Sequence, residues 1–162
     1  MTDSDCPLCA GTDMDEALMR TEVWSDDLWR LTTSNVTEVA GFSYLEPKRH
    51  IVDIAELDGE EAATFGVVIG RVAAAIKAAT GVDRVFVYVF GESLDHLHVH
   101  LAPHRNEASP LIADMIKGAQ HRVILPNGQE VWVSDRYPLQ DSKITEAAIA
   151  DIRELLTEQS TP

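Results

Sequence analysis

Between Val85 and Ala102 the chain carries two adjacent patterns that leave few folds open. Val85–Phe90 is a solid apolar run bounded by Arg84 and Gly91. After a short polar break, His96-Leu97-His98-Val99-His100-Leu101 alternates histidine with aliphatic residues. An unbroken apolar run reads as a strand buried on both faces, and strict alternation reads as a strand with one polar face, here Leu97–Ala102. The break Gly91–Asp95 is short enough to make the two strands antiparallel neighbours. Side chains two apart on a strand share a face. His96, His98 and His100 are therefore expected as one row of imidazoles, with Leu97, Val99 and Leu101 turned to the core.

The rest of the chain supplies strands and helices to pack with this pair. Thr21–Trp24 and Leu28–Thr32 flank Ser25-Asp26-Asp27 and read as a hairpin, and Phe42–Leu45 reads as a strand stopped by Pro47. Phe65, Val68, Ile69, Val72, Ala73 and Ile76 recur at the spacing of one apolar helical stripe. Asp58 with Glu61 offers a capping box for this helix, and Gly81 a stop. Ser109–Gln120 reads as a helix with Pro110 in its first turn. Val123–Leu125 and Val131–Val133 flank Pro126-Asn127-Gly128-Gln129, a strong hairpin signal. Ile144, Ala148, Ile152 and Leu155 give a closing helix. Hairpins around one long helix predict an α+β domain: an antiparallel sheet packed with that helix, plus a C-terminal hairpin and helix. Residues 1–20 read as an N-terminal arm, 21–105 as the core, and 106–162 as an extension on the same domain.

Charge and composition narrow the partners. Thirteen Lys plus Arg against 27 Asp plus Glu give a net charge of −14, which argues against a phosphate-tracking nucleic-acid surface but leaves room for a locally positive pocket. No apolar run approaches the roughly 18 residues of a membrane span. The opening Thr2-Asp3-Ser4-Asp5 lacks the basic and apolar regions of a secretory signal, so the expected compartment is the cytoplasm. The two cysteines, Cys6 and Cys9, are too close for a disulfide framework, and in a reducing compartment their spacing suggests metal or redox chemistry.

Three imidazoles about 7 Å apart along a strand cannot all be protonated cheaply. Some stay neutral, the state that a nucleophile or a metal ligand needs. The run admits three readings: a solvated face, a metal site on His96, His98 and His100, or histidine as covalent catalyst.

Gly91-Glu92-Ser93-Leu94-Asp95-His96-Leu97-His98-Val99-His100-Leu101 resembles the signature of the histidine-triad nucleotide hydrolases and transferases. Cys6-Pro7-Leu8-Cys9 is similar to that family's N-terminal zinc knuckle, and Leu45-Glu46-Pro47-Lys48-Arg49-His50-Ile51 to its strand, proline, basic pair and histidine. The resemblance covers roughly residues 5–105 and implies a mechanism. His98 would attack the α-phosphorus of a nucleotide conjugate to form a nucleotidyl-histidine, which water or another acceptor would resolve. His100 would contact the phosphate oxygens, and Ser93 the phosphate or leaving atom. Cys6, Cys9, His50 and His96 would hold one structural zinc. Homodimers through the long helix and central strands would follow, and a nucleotide or nucleoside phosphoramidate would be the substrate. A nucleotide-binding regulator without turnover is an alternative.

Three positions depart from the family pattern. Phe42 stands where many members have a histidine that supports the triad's last imidazole. Ser34 or Asn35 falls where an Asn or Asp holds the ribose hydroxyls. Glu92 replaces a glutamine that contacts the bridging or leaving atom. Trp24, Trp29 and Trp132 read as core rather than as base-stacking residues, and Arg105, Arg122 and Arg136 as surface rather than as phosphate ligands.

Overall fold

The computed structural model of the protein describes residues 6–90, 94–104, 120–134 and 138–158. β1 (Arg20–Ser25), β2 (Trp29–Ser34) and β3 (Ser43–Pro47) are followed by helix α1 (Gly59–Thr80). Then come β4 (Arg84–Val89), β5 (Val99–His104), β6 (Gln120–Ile124), β7 (Glu130–Ser134) and helix α2 (Ser142–Glu158). The first five strands form one antiparallel sheet in the order β1-β2-β3-β5-β4, and β6 and β7 form a separate hairpin. This is the expected α+β architecture, with the C-terminal hairpin and helix in place. The helix anticipated over 109–120 lies outside the described residues, apart from Gln120, which opens β6.

Local chemistry sets the turns. The Asp26 carboxylate accepts from the backbone N–H groups of Leu28 (2.8 Å) and Trp29 (2.7 Å), closing the β1–β2 hairpin. Gly128 takes φ +87° in the second hairpin, beside Asn127. Pro47 does not stop β3 but ends it as a paired residue opposite Trp29. Its missing N–H costs the ladder nothing there, because pairing with β5 has already ended at Leu45↔Val99.

One sheet face and the two helices enclose the core. Leu31, Leu45, Val99 and Leu101 meet Val68, Val72 and Ile76 of α1 and Ile149, Ile152 and Leu156 of α2. A fully buried aliphatic chain of this size contributes about 2 kcal/mol. Trp29 sits in the same core, with its indole N–H on the Thr64 hydroxyl at 3.1 Å and its ring stacked on Phe65. In α2 the buried stripe is Thr145, Ala148, Ile149, Ile152 and Leu156, so Ile144, expected inward, faces out.

Three expectations need correction. The Asp58–Glu61 capping box does not form at α1, since the Asp58 side chain makes no cap bond. Both carboxylates are taken by Arg49, whose guanidinium reaches Glu61 at 2.5 Å and Asp58 at 3.1 Å. A capping box forms instead at Asp53 and Glu56, in the short 3-10 turn before the helix. Gly81 does end α1, at φ +64° in the left-handed region. Second, β4 is an edge strand and is not buried on both faces: Val87 and Val89 are exposed, as is Phe90 beyond it. Third, α1 contains an 18-residue window of mean hydropathy 1.5, so by length and composition alone it could cross a membrane. Its inner stripe packs on the sheet, as in the core helix of a globular protein.

Candidate functional site: a histidine pair beside a Cys2His2 cluster

The expected single row of three imidazoles divides in two, because β5 begins only at Val99. Before it, the chain bends through Leu94–His98, and the Leu97 N–H bonds the Ile51 carbonyl at 2.7 Å. That bond lays the His96 segment beside the His50 segment, and their rings come to 5.3 Å. His98 and His100 point to the sheet face opposite α1, with ring centres 5.0 Å apart.

The first site is closed. Cys6 and Cys9 sit in a turn held by Ala10 N–H on the Cys6 carbonyl and Gly11 N–H on the Leu8 carbonyl. His96 Nδ1 lies 3.4 Å from both Sγ atoms, and His50 Nδ1 lies 3.2 Å from that of Cys9. The four donor atoms all fall within 4.8 Å of one another. His96 Nε2 stands 2.8 Å from the Pro47 carbonyl, to which it can only donate, so Nδ1 carries the lone pair and faces the sulfurs. Two sulfurs and two imidazole nitrogens at these spacings fit a tetrahedral zinc. The cysteines also stand as two free thiols, not a disulfide. His96 therefore belongs to this cluster and not to a three-histidine metal site.

The second site is walled by aromatic rings. His98 Nδ1 lies 2.7 Å from the His96 carbonyl and must donate to it, which leaves the Nε2 lone pair for chemistry. Burial lowers the His98 pKa below its usual value, with the positive charge of Arg20 adding to the effect. His100 is flanked in register by Tyr44 on β3 and Tyr88 on β4. Tyr88 stacks on it at 4.7 Å, while Tyr44 and Phe42 present edges at 5.2 and 6.0 Å. Burial, His98 and Arg20 together push the His100 pKa down to about 4, so the ring stays neutral. Phe42 thus supports the last imidazole by packing, where a histidine would do so by hydrogen bonding.

The remaining candidates divide. Ser34 is buried on the histidine face, and its hydroxyl donates to the Val36 carbonyl. Asn35 Oδ1 accepts from Thr21 (2.7 Å), and both residues line a cleft of about 420 Å³ with Thr145, Ile149 and Arg153 of α2, away from the histidines. Glu92, Ser93, Arg105 and Arg136 lie outside the described residues, as does the Trp132 side chain. Trp24 packs on the core beneath Arg71, and Arg122 pairs with Glu130 in the β6–β7 hairpin.

Sequence reasoning missed a buried ion network on the histidine face. Arg30 binds Glu46 (2.9 Å), Glu22 (2.6 Å) and Asp15, and Arg20 lies 3.5 Å from Glu46 with its guanidinium 3.8 Å above the Tyr44 ring. The available signal was Arg30, Thr32 and Ser34 at every second position of a strand with neighbours on both sides. A polar row on an interior strand needs partners or a ligand.

The fold and this pair of sites define a class of protein, and comparison with known sequences and structures agrees with it. The HIT domain model matches residues 19–107, more than half of the chain, and the protein belongs to the HIT, or histidine-triad, family. A hypothetical histidine triad nucleotide-binding protein from Sulfolobus tokodaii superposes with a TM-score of 0.63 at 22% identity, over 94% of this chain and 93% of that one. A zinc-bound histidine triad family protein from Mycobacterium smegmatis gives 0.62 at 18% identity, over 97% and 99%. A histidine triad protein from Marinobacter aquaeolei gives 0.64 at 16% identity, over 88% and 92%. No curated protein matches. Membership supports a nucleotide-related hydrolase or transferase activity in general.

Proposed function

We propose that the protein is a nucleotidyl hydrolase or transferase acting at the α-phosphate of a nucleotide conjugate, with His98 as nucleophile. The carrying observation is the 2.7 Å bond from His98 Nδ1 to the His96 carbonyl, which fixes the tautomer and aims an unprotonated Nε2 away from the backbone. Nε2 attacks phosphorus, a P–N bond forms, and the bond from phosphorus to the leaving group breaks with its electron pair going to that group. The departing atom takes a proton from water or from Glu92. Water or a second acceptor then attacks phosphorus and releases His98. A neutral His100 contacts the phosphate oxygens, Ser93 the phosphate or leaving atom, and Ser34 the sugar. Asn35, turned toward α2, is the weaker sugar ligand.

In this reading Cys6, Cys9, His50 and His96 hold a structural zinc, and a zinc-bound relative supports it. The chemistry supplied by the bound metal is cross-linking: it ties the N-terminal arm to the chain two residues before His98. The chain also forms a homodimer. Support comes from the β4 edge with exposed Val87, Val89 and Phe90, and from Val67 of α1, which is 74% exposed. A twofold partner would cover these surfaces.

The test is intact-mass spectrometry after brief incubation with adenosine 5′-phosphoramidate. An adduct of one adenylyl group that maps to His98 supports the reading. Turnover with the His98→Ala protein at the wild-type rate would overturn it.

A further inference from the structure

Between β3 and α1 the chain passes through Lys48, Arg49, His50 and Ile51. Backbone hydrogen bonds hold both ends of this segment. The Lys48 N–H donates to the Leu28 carbonyl at 2.8 Å, and the Ile51 carbonyl accepts from the Leu97 N–H at 2.7 Å. The backbone groups of Arg49 and His50 make no hydrogen bond among the described residues. What holds the middle of the segment is the Arg49 side chain. Its Nε lies 3.2 and 3.1 Å from the two Glu61 carboxylate oxygens. Its Nη2 reaches Glu61 at 2.5 Å, and the Glu56 carbonyl and Asp58 at 3.1 Å each. Glu61 sits in the first turn of α1 and is buried, where a glutamate needs a partner. His50, the next residue along from Arg49, turns its Nδ1 to Cys9 at 3.2 Å.

This grip is unfavourable for the helix. Asp58 occupies the N-cap of α1 yet caps nothing, and a guanidinium stands at the positive end of the helix dipole. A local rule broken in this way calls for a gain elsewhere, and the neighbour of Arg49 shows where it lies. Zinc takes four donors at about 2.0–2.3 Å in a tetrahedron, so a ligand on a loose segment is a weak one. His96 is fixed by its Pro47 contact, and Cys6 and Cys9 by their turn. His50 has no such restraint of its own among the described residues. We infer that Arg49 and Glu61 form a positioning clamp for the metal centre. They pin the segment to the first turn of α1, preset His50 as the fourth ligand, and thereby set how tightly the cluster holds zinc. This role rests on the zinc reading and gives it two residues that touch no metal.

Zinc affinity of the folded, full-length protein tests the clamp, because a purely structural ion pair would lower the melting temperature and leave that affinity alone. The probe is zinc itself, competed from the loaded protein by a chromophoric chelator. Glu61→Gln and Arg49→Met should each raise the zinc Kd at least ~10-fold. Arg49→Lys keeps the charge but cannot grip the carboxylate through two nitrogens, so its Kd should fall between theirs and that of the wild type. Asp58→Asn alters a carboxylate that is 83% exposed, and its Kd should stay within about twofold of the wild type. A Kd unchanged in both Glu61→Gln and Arg49→Met overturns the clamp and leaves the zinc reading standing. So does an equal loss in Asp58→Asn, which would mark a general effect of charge near the site. Wild-type protein that takes up no zinc overturns both. Should Arg49→Met fail to fold, Glu61→Gln keeps the shape of the side chain and decides alone, and an unchanged Kd there overturns the clamp.

Discussion

His96 and His98 are two residues apart and live in opposite chemical worlds. The His96 ring is committed at both nitrogens, one to the Pro47 carbonyl and one facing two sulfurs. The His98 ring is committed, among the described residues, at one nitrogen only and stands among aromatic rings with the lone pair of the other unused there. The difference comes from the backbone and not from the side chains. A strand that started at His96 would have put both rings on one face. Starting at Val99, it lets the chain bend, so that one histidine joins the Cys2His2 cluster and the next turns to the aromatic-walled face, as the proposed anchor and the proposed nucleophile. Their link is the His96 carbonyl, which belongs to the cluster residue and orients the His98 ring, the proposed nucleophile.

The sharpest break of this comparison is His98→Ala. Turnover of a nucleoside phosphoramidate should fall at least ~10³-fold while mononucleotide binding survives, because only the bond-forming atom is lost. His100→Ala should be milder in steady-state kinetics, since it removes a phosphate contact and not the nucleophile. On the anchor side, Cys9→Ala should abolish stoichiometric zinc and cost several kcal/mol in thermal unfolding. Unchanged melting of metal-free protein would detach the anchor from the fold.

Acid should separate the two regions next. The folded His100 is held at about 4, against roughly 6.5 for a solvated imidazole. The unfolded chain therefore binds this proton first, so the stability contributed by His100 is complete above about pH 6.5 and is lost as pH falls toward 4. The full difference is about 3 kcal/mol. Urea titrations of wild type and His100→Gln at pH 7 and pH 4.5 should show a steeper acid loss for the wild type. The smallest expected effect concerns Glu92. A carboxylate there can accept from an amine leaving group but repels an anionic one, so the phosphoramidate should be preferred to a dinucleoside polyphosphate. Glu92→Gln should shift the ratio of kcat/KM toward the polyphosphate, and an unchanged ratio would leave Glu92 idle.

Much of this arrangement was legible in the residues. The stripe Val68, Val72 and Ile76 placed the long helix, Asp26 and Asn127-Gly128 placed the two hairpins, and the Cys-x-x-Cys pair with His50 and His96 came together in the fold. Period alone could not give the strand start, because alternation at His96 and His98 continues smoothly into β5 while the backbone does not. The capping box was misplaced for a related reason. Asp58-Gly59-Glu60-Glu61 has the right spacing, but Arg49, nine residues upstream of Asp58, competes for both carboxylates, and a one-dimensional pattern contains no such competitor. Arg20 escaped notice because it stands at the first residue of β1, where its row on the sheet cannot be recognised until the strands are paired.

The cluster also imposes an order in time. Cys6 and His96 are separated by 90 positions in the chain, and the polypeptide between them includes β1 to β4 and all of α1. Closing so long a loop before those elements have condensed would forfeit chain entropy that no early contact returns. On the ribosome the arm bearing Cys6 and Cys9 emerges before these elements, and its last partner exists only 90 positions beyond Cys6. The arm is thus made before the elements it is tied to and secured after them. Chain entropy favours a stage in which the sheet is assembled, His98 is in place, and the arm is not yet tied down.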